Sequence, residues 1–231
     1  MTEVAVAGAL LAGGRSTRFG SDKLQTCLPG SSEQLAESSA RALHESGCRP
    51  LSWISPQPPR EHLLDFEHLA DSAEGPLGAI ALALEWAQSR KASHLLVVAG
   101  DLPLIRGQHL AYLGAKAVGH ASQQAYCALG PDGRAEPLCA VYPVSWAKEA
   151  RRLFAQGQRA ARALWLREPC TVNLATAPGL PASTPSESSP EVTVSVTVPS
   201  DGRVTIHPCF NLNDQEDWEQ LQAWSKKGEL S

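Results

Sequence analysis

The sequence has no run of lysines and arginines, no Cys-x-x-Cys pair, and no stretch near the roughly 20 consecutive apolar residues that a membrane-spanning helix needs. Each absence closes off a class of function. A formal net charge of −4 over 231 residues, with no basic run, argues against a general nucleic-acid binder, because gripping a phosphate backbone takes a basic face. Any phosphate that this chain handles is then expected on a small molecule. The cysteines, Cys27, Cys48, Cys127, Cys139, Cys170 and Cys209, are scattered, with no histidine at zinc-ligand spacing. They are expected as buried thiols in a reducing compartment. Glu3, and no Lys or Arg, precedes the apolar "VAVAGALLAGG", the reverse of a signal peptide's charged start. That run reads as a buried strand and the protein as cytoplasmic, with no membrane partner. The histidines form no H-E-x-x-H or similar cluster, so a zinc or di-metal hydrolase has little support.

What is present reads as an α/β protein. Apolar and charged fractions of 43% and 19% match folded globular chains, and the length suits one α/β domain. Strands are expected at Val4 to Leu11, Pro50 to Ser55 and His94 to Asp101, with helices at Gln34 to Ser46, Ala79 to Arg90, Val144 to Ala155 and after Asp214. The segment from Ala79 alternates like a strand at Ile80, Leu82, Leu84 and Trp86, but its length and alanines favour helix. Strand alternating with helix implies a mostly parallel sheet. A Pro/Ser-rich loop is expected over 176–191, and the alternation of 192–198 with the turn "PSDG" predicts an extra β-hairpin over 192–206.

The chemistry concentrates in "LAGGRSTRFGSDK", Leu11 to Lys23. Gly13-Gly14 at a strand end lets the backbone bend and present bare N–H groups as an anion nest, while Arg15, Arg18 and Lys23 supply the charge that phosphates need. The stretch is neither G-x-x-x-x-G-K-[ST] nor G-x-G-x-x-G, and it lacks the G-x-S-x-G of an esterase nucleophile. Asp101 follows the clearest strand, and ligands of an open parallel sheet bind at the strands' carboxyl ends, so Gly14 and Asp101 should meet at one edge. A carboxylate beside phosphate needs a cation between them, which makes Asp101 a candidate Mg²⁺ ligand. Asp71 before "GPLG" suits a base or ribose contact. Asn211 and Asn213 alternate on an extended segment and could face a metal or phosphate together.

Together these stretches resemble the molybdenum cofactor guanylyltransferases, within the nucleotidyltransferases of Rossmann-like fold. Leu11 to Lys23 fit the signature L-A-G-G-x-S-x-R-x-G-x-D-K at every fixed position. Asp71 with Gly75 to Gly78, Asp101 to Pro103, Glu136 to Leu138, and Asn211 with Asn213 fall where later landmarks belong. The resemblance implies a three-layer fold in one domain, 1–231, with a nucleotide-binding half (1–110) and an acceptor half (111–231). It implies transfer of GMP from GTP to the terminal phosphate of molybdenum-loaded molybdopterin, with pyrophosphate released. Leu11, Ala12, Gly13, Gly14, Asp71 and Gly78 would then bind nucleotide, Arg18 and Lys23 would hold phosphates and act in catalysis, and Asp101 would hold Mg²⁺. Transient contact with molybdoenzymes or their chaperones is a further expectation.

The sequence also departs from that pattern. Asp214-Gln215 stands where Thr-Pro is usual, Ser55 stands where the second strand commonly ends in Asn, and the segment from Thr176 to Arg203 is longer than the family needs. A cytidylyltransferase or sugar-phosphate nucleotidyltransferase of the same fold stays open, since base choice rests on a few loop hydrogen bonds. So does a non-catalytic nucleotide-binding adaptor. The basic segment Arg151 to Arg167, with Arg159 and Arg162, is the candidate surface for the pterin.

Overall fold

The computed structural model describes residues 5–13, 23–60, 63, 65–72, 74–119, 123–165, 169–175 and 207–227. Arg18, Gly14, the 176–191 loop and the 192–206 hairpin lie outside the described residues. Among the described residues seven strands form one sheet: β1 (Val6–Leu11), β2 (Leu51–Ser55), β3 (Phe66–Ala70), β4 (His94–Ala99), β5 (Tyr126–Leu129), β6 (Ala135–Pro143) and β7 (Cys170–Val172). Their order is β3-β2-β1-β4-β6-β5-β7. All neighbours run parallel except β6, which is antiparallel to both β4 and β5.

Among the described residues there are five α-helices, α1 (Leu35–Glu45), α2 (Pro76–Ser89), α3 (Gly107–Gly119), α4 (Ala147–Ala155) and α5 (Gln215–Lys226); α1 and α3 lie on one face of the sheet and α2 on the other, while α4 packs on α2 and α5 against the start of α1. The strands show why both faces are covered. Ala7, Ala9, Leu11, Leu95 and Val97 pack into the core beneath α2 and α4, while the alternate residues Leu10, Leu96 and Val98 pack beneath α1 and α3. Side chains of a strand point alternately to opposite faces, so a run apolar at every position needs helices on both sides. The expected three-layer α/β fold with a mostly parallel sheet is present.

Local chemistry sets the helix ends. The Glu37 carboxylate accepts the Gln34 N–H at 2.8 Å at the entrance to α1. Asp214 accepts the N–H groups of Glu216 and Asp217 at 3.1 and 3.2 Å, so it caps α5 as expected despite the absence of Thr-Pro. The ambiguous alternating segment is α2. It is buried nearly all round, from Leu77 to Ala87, because it lies between the sheet and α4, which removes the usual polar face. Val144–Trp146 forms a 3₁₀ turn before α4, where a continuous helix was expected.

Elements without a clear sequence signal are β3, α3, β5, β6 and β7. β3 carries Glu67 and His68 as an edge strand, β6 opens on Glu136 and Pro137 before its apolar 138–142, and β7 is three residues long. Four of the cysteines are buried free thiols and Cys170 is partly buried, but Cys27 is exposed, contrary to expectation. Cys27 bridges to Gln34 across the turn before α1, at the surface rather than under a helix.

The start of α3 gives a stability prediction. Buried His109 accepts the Arg106 N–H on Nδ1 at 3.1 Å. Burial, and then the charges of Arg106 and His207, push its imidazole down from 6.5 to about 4. The unfolded chain therefore takes up a proton that the folded chain refuses, and stability should fall as pH drops from 6.5 towards 4. His109→Gln should flatten that fall between pH 6.5 and about 5 in urea titrations. Equal slopes for the two proteins would remove His109 as the cause.

Candidate active site

The order of strands reverses at β1 and β4, the point at which an open α/β sheet leaves a crevice beyond its carboxyl ends. Leu11 is in register with Ala99, the last residues of the two strands. Two residues further on stand Gly13 and Asp101, so the two stretches singled out in the sequence leave the sheet side by side. Ala12 donates its N–H to Ile54 at 2.9 Å and Gly100 donates to Leu11 at 3.0 Å, fixing both exits. A β-carbon on Gly13 would lie 3.2 Å from Pro56 Cδ and 3.6 Å from Asp71 Oδ2. The bare backbone at Gly13 therefore leaves room directly beside the Asp71 carboxylate, and Asp71 is anchored by its N–H to the Ser55 carbonyl at 3.2 Å.

Asp101 and Lys23 meet from 78 residues apart. Lys23 Nζ donates to Asp101 Oδ2 at 2.7 Å and to the Leu212 carbonyl at 2.5 Å. The Leu212 N–H in turn reaches the Asp101 carbonyl at 3.2 Å, which stitches the segment before α5 onto the end of β4. The other carboxylate oxygen, Asp101 Oδ1, is buried with no hydrogen-bond partner among the described residues, and so is Asn211 Oδ1. Buried polar oxygens are normally satisfied, so these two leave acceptor capacity side by side on adjacent segments. Among the described residues no group of three or more His, Cys, Asp or Glu could enclose a metal by itself. An oxygen pair of this kind suits a hard divalent cation that keeps water or phosphate oxygens in its shell, rather than zinc.

Beside Gly13 opens a cleft of about 500 Å³, lined by Ala12, Gly13, Gln34, Glu37, Trp53 and Arg60 among others. That volume lies within the range of small-molecule sites. Ser55, at its edge, accepts the Trp53 Nε1–H at 2.8 Å and gives its own hydrogen to the Gln57 carbonyl. Its hydroxyl is thus engaged within the chain on both its donor and an acceptor side.

Several expected residues sit elsewhere. Asn213 is exposed and turns its amide onto the Asn211 carbonyl at 3.3 Å, so the two asparagines do not act as a facing pair. The vacant side of Gly78 faces Phe154, whose Cε2 would be 2.7 Å from an added β-carbon, so this glycine lets α2 and α4 approach closely. Arg159 stacks over Phe154 at 4.3 Å, donates to the Phe154 carbonyl at 2.9 Å, and accepts the Leu77 N–H on its own carbonyl at 3.0 Å. It therefore braces the start of α2. Arg151 pairs with Glu85 and Arg152 with Glu149, so most of the basic charge between 151 and 159 is already matched at the surface. Arg162 is exposed.

One contributor carries no pattern that singles it out in the sequence. The Leu212 carbonyl holds Lys23 as a main-chain group that any residue could supply. Glu136 lies across from Asp101 when the β4–β6 register, which ends at Val98 and Cys139, is continued by three residues. Burial, then Asp132 and Asp101, raises its carboxyl above the usual range. The "EPL" landmark marked its position without showing what it faces.

No helix among the described residues is long and apolar enough to cross a membrane. The model of the MobA-like NTP transferase domain matches residues 8–171. A probable molybdenum cofactor guanylyltransferase of Opitutus terrae is 33% identical over 67% of this chain and 75% of its own length. One of Pyrococcus furiosus is 31% identical over 96% of this chain and 99% of its own. The crystal structure of molybdopterin-guanine dinucleotide biosynthesis protein A from Archaeoglobus fulgidus superposes with a TM-score of 0.62 at 20% identity, covering 96% of this chain and 99% of that one. With the crevice, the bare strand end and the Lys23–Asp101 pair in place, this chain belongs to the MobA-like NTP transferase family, and is a nucleotidyltransferase.

Proposed function

We propose that the protein transfers GMP from GTP to the terminal phosphate of molybdenum-loaded molybdopterin. The observation that carries this reading is Asp101: one carboxylate oxygen held by Lys23, the other buried and without a partner among the described residues, at the sheet edge next to Gly13. The names of the relatives point to the same reaction.

In the transfer an oxygen of the acceptor phosphate attacks the α-phosphorus of GTP, and the bond to the bridging oxygen breaks to release pyrophosphate. No protein nucleophile is needed, so the residues act by position and charge. Leu11, Ala12 and Gly13 offer backbone to the nucleotide without side chains in the way, and Asp71 accepts from its sugar or base. Lys23, with Arg18 of the same sequence motif, binds the phosphates and stabilises the leaving pyrophosphate. Asp101, with the Asn211 amide oxygen as a second donor, would hold Mg²⁺, which would supply neutralisation of phosphate charge. The cleft beside Trp53 receives the base.

Pyrophosphate release tests the reading, with GTP, CTP or ATP, Mg²⁺ and molybdenum-loaded molybdopterin. Release from GTP and not from CTP or ATP is expected. Release from CTP would keep the mechanism and change the product. Tight GTP binding without release would make the protein an adaptor.

A further inference from the structure

The Lys23–Asp101 contact does more than join two motif residues. The ammonium has Asp101 Oδ2 at 2.7 Å and the Leu212 carbonyl at 2.5 Å, and the two side chains are only 16% and 18% exposed. It therefore stands against the carboxylate on which a divalent cation would depend. A doubly charged ion and an ammonium on one carboxylate repel each other, and partial burial strengthens that repulsion. A nucleoside triphosphate changes the balance, because it brings several negative charges, gives Lys23 other oxygens to hold and supplies further oxygens to the metal.

We infer that Lys23 is the resident counter-ion of Asp101, filling the carboxylate's cation position until a triphosphate draws the ammonium away and the metal enters with it. The inference rests on the reading of Asp101 as a metal ligand. It makes metal and nucleotide binding mutually dependent, each raising affinity for the other by the same factor. It also gives the metal a way out, since Lys23 regains Asp101 once pyrophosphate has left.

The test uses Mn²⁺ alone, with free ion followed by electron paramagnetic resonance and no nucleotide present. Wild type should bind weakly. Lys23→Met should bind at least about tenfold more tightly, the factor that 1.4 kcal/mol represents. Lys23→Arg, which keeps the charge, should stay at the wild-type level, and adding Asp101→Asn to Lys23→Met should abolish the gain. Lys23→Gln carries the same expectation if Lys23→Met does not fold. Unchanged Mn²⁺ affinity in the neutral variants, or an equal gain in Lys23→Arg, overturns the inference. A parallel titration with Mn²⁺ and GTP separates the two levels. If Asp101→Asn binds Mn²⁺·GTP as wild type does, the metal-ligand reading itself fails. If it binds more weakly while the neutral Lys23 variants gain nothing without nucleotide, only the counter-ion assignment fails.

Discussion

Asp101→Ala should lower kcat for pyrophosphate release by about 10²- to 10³-fold, the range found when one preorganised electrostatic contact to a transition state is removed. The carboxylate stands at the crevice with one oxygen on Lys23 and the other buried without a partner among the described residues. Its loss removes the proposed metal ligand and releases Lys23, which keeps the Leu212 carbonyl. Asp101→Asn separates these effects. The amide retains an acceptor for Lys23 and the shape of the side chain, but carries no charge for a cation. If Asp101 only anchors Lys23, Asn should restore activity to within a few-fold of wild type. If it also holds Mg²⁺, Asn should remain nearly as poor as Ala, and more Mg²⁺ should be needed to reach half of the residual rate. Titrating Mg²⁺ at saturating GTP decides between the two. An Asn variant of normal activity and normal Mg²⁺ requirement would end the metal assignment.

Leu95→Ala should destabilise the fold by about 2–5 kcal/mol, as large-to-small changes in well-packed cores do. Leu95 is fully buried on β4, in register with Ala7 on one side and Tyr142 on the other. Its side chain packs in the core that includes α2, and the paired strands on either side leave the backbone little freedom to close over the gap. Against a total of about 5–15 kcal/mol for a typical protein, the loss is large. For a chain of this size, thermal unfolding should fall by about 2–4 °C per kcal/mol. A midpoint within about 2 °C of wild type, less than the smallest shift this scale allows, would mean that the site collapses around the missing atoms.

The apolar runs of β1 and β4 and the cap of α5 were legible in the sequence, because each depends on neighbours within a few residues. Strand alternation and an Asp at a helix start act locally, and their physics needs no knowledge of the fold. The mostly parallel sheet followed from the same patterns. The expectation that Gly14 and Asp101 meet at one edge rested on both following strands, and Gly13 and Asp101 do leave the sheet side by side, Gly14 itself lying outside the described residues.

Tertiary structure decided the rest. The segment with Ile80, Leu82, Leu84 and Trp86 reads correctly as helix from its length and alanines, but the reason for its strand-like apolar spacing, α4 covering α2 from outside, lies in the tertiary structure. Gly78 had the look of a ligand contact until Phe154 was found against it. Asn211 and Asn213 alternate in sequence, yet only Asn211 has its amide oxygen buried, because Leu212 between them is tied to Asp101. Arg159 had charge suited to an anionic substrate, but its guanidinium lies on an aromatic ring and its carbonyl caps a helix. The Lys23 ammonium between Asp101 and a main-chain carbonyl 189 residues away has no trace in any local pattern. Contacts between residues so far apart are set by how strands and helices pack, and packing depends on the whole chain rather than on the spacing of nearby side chains.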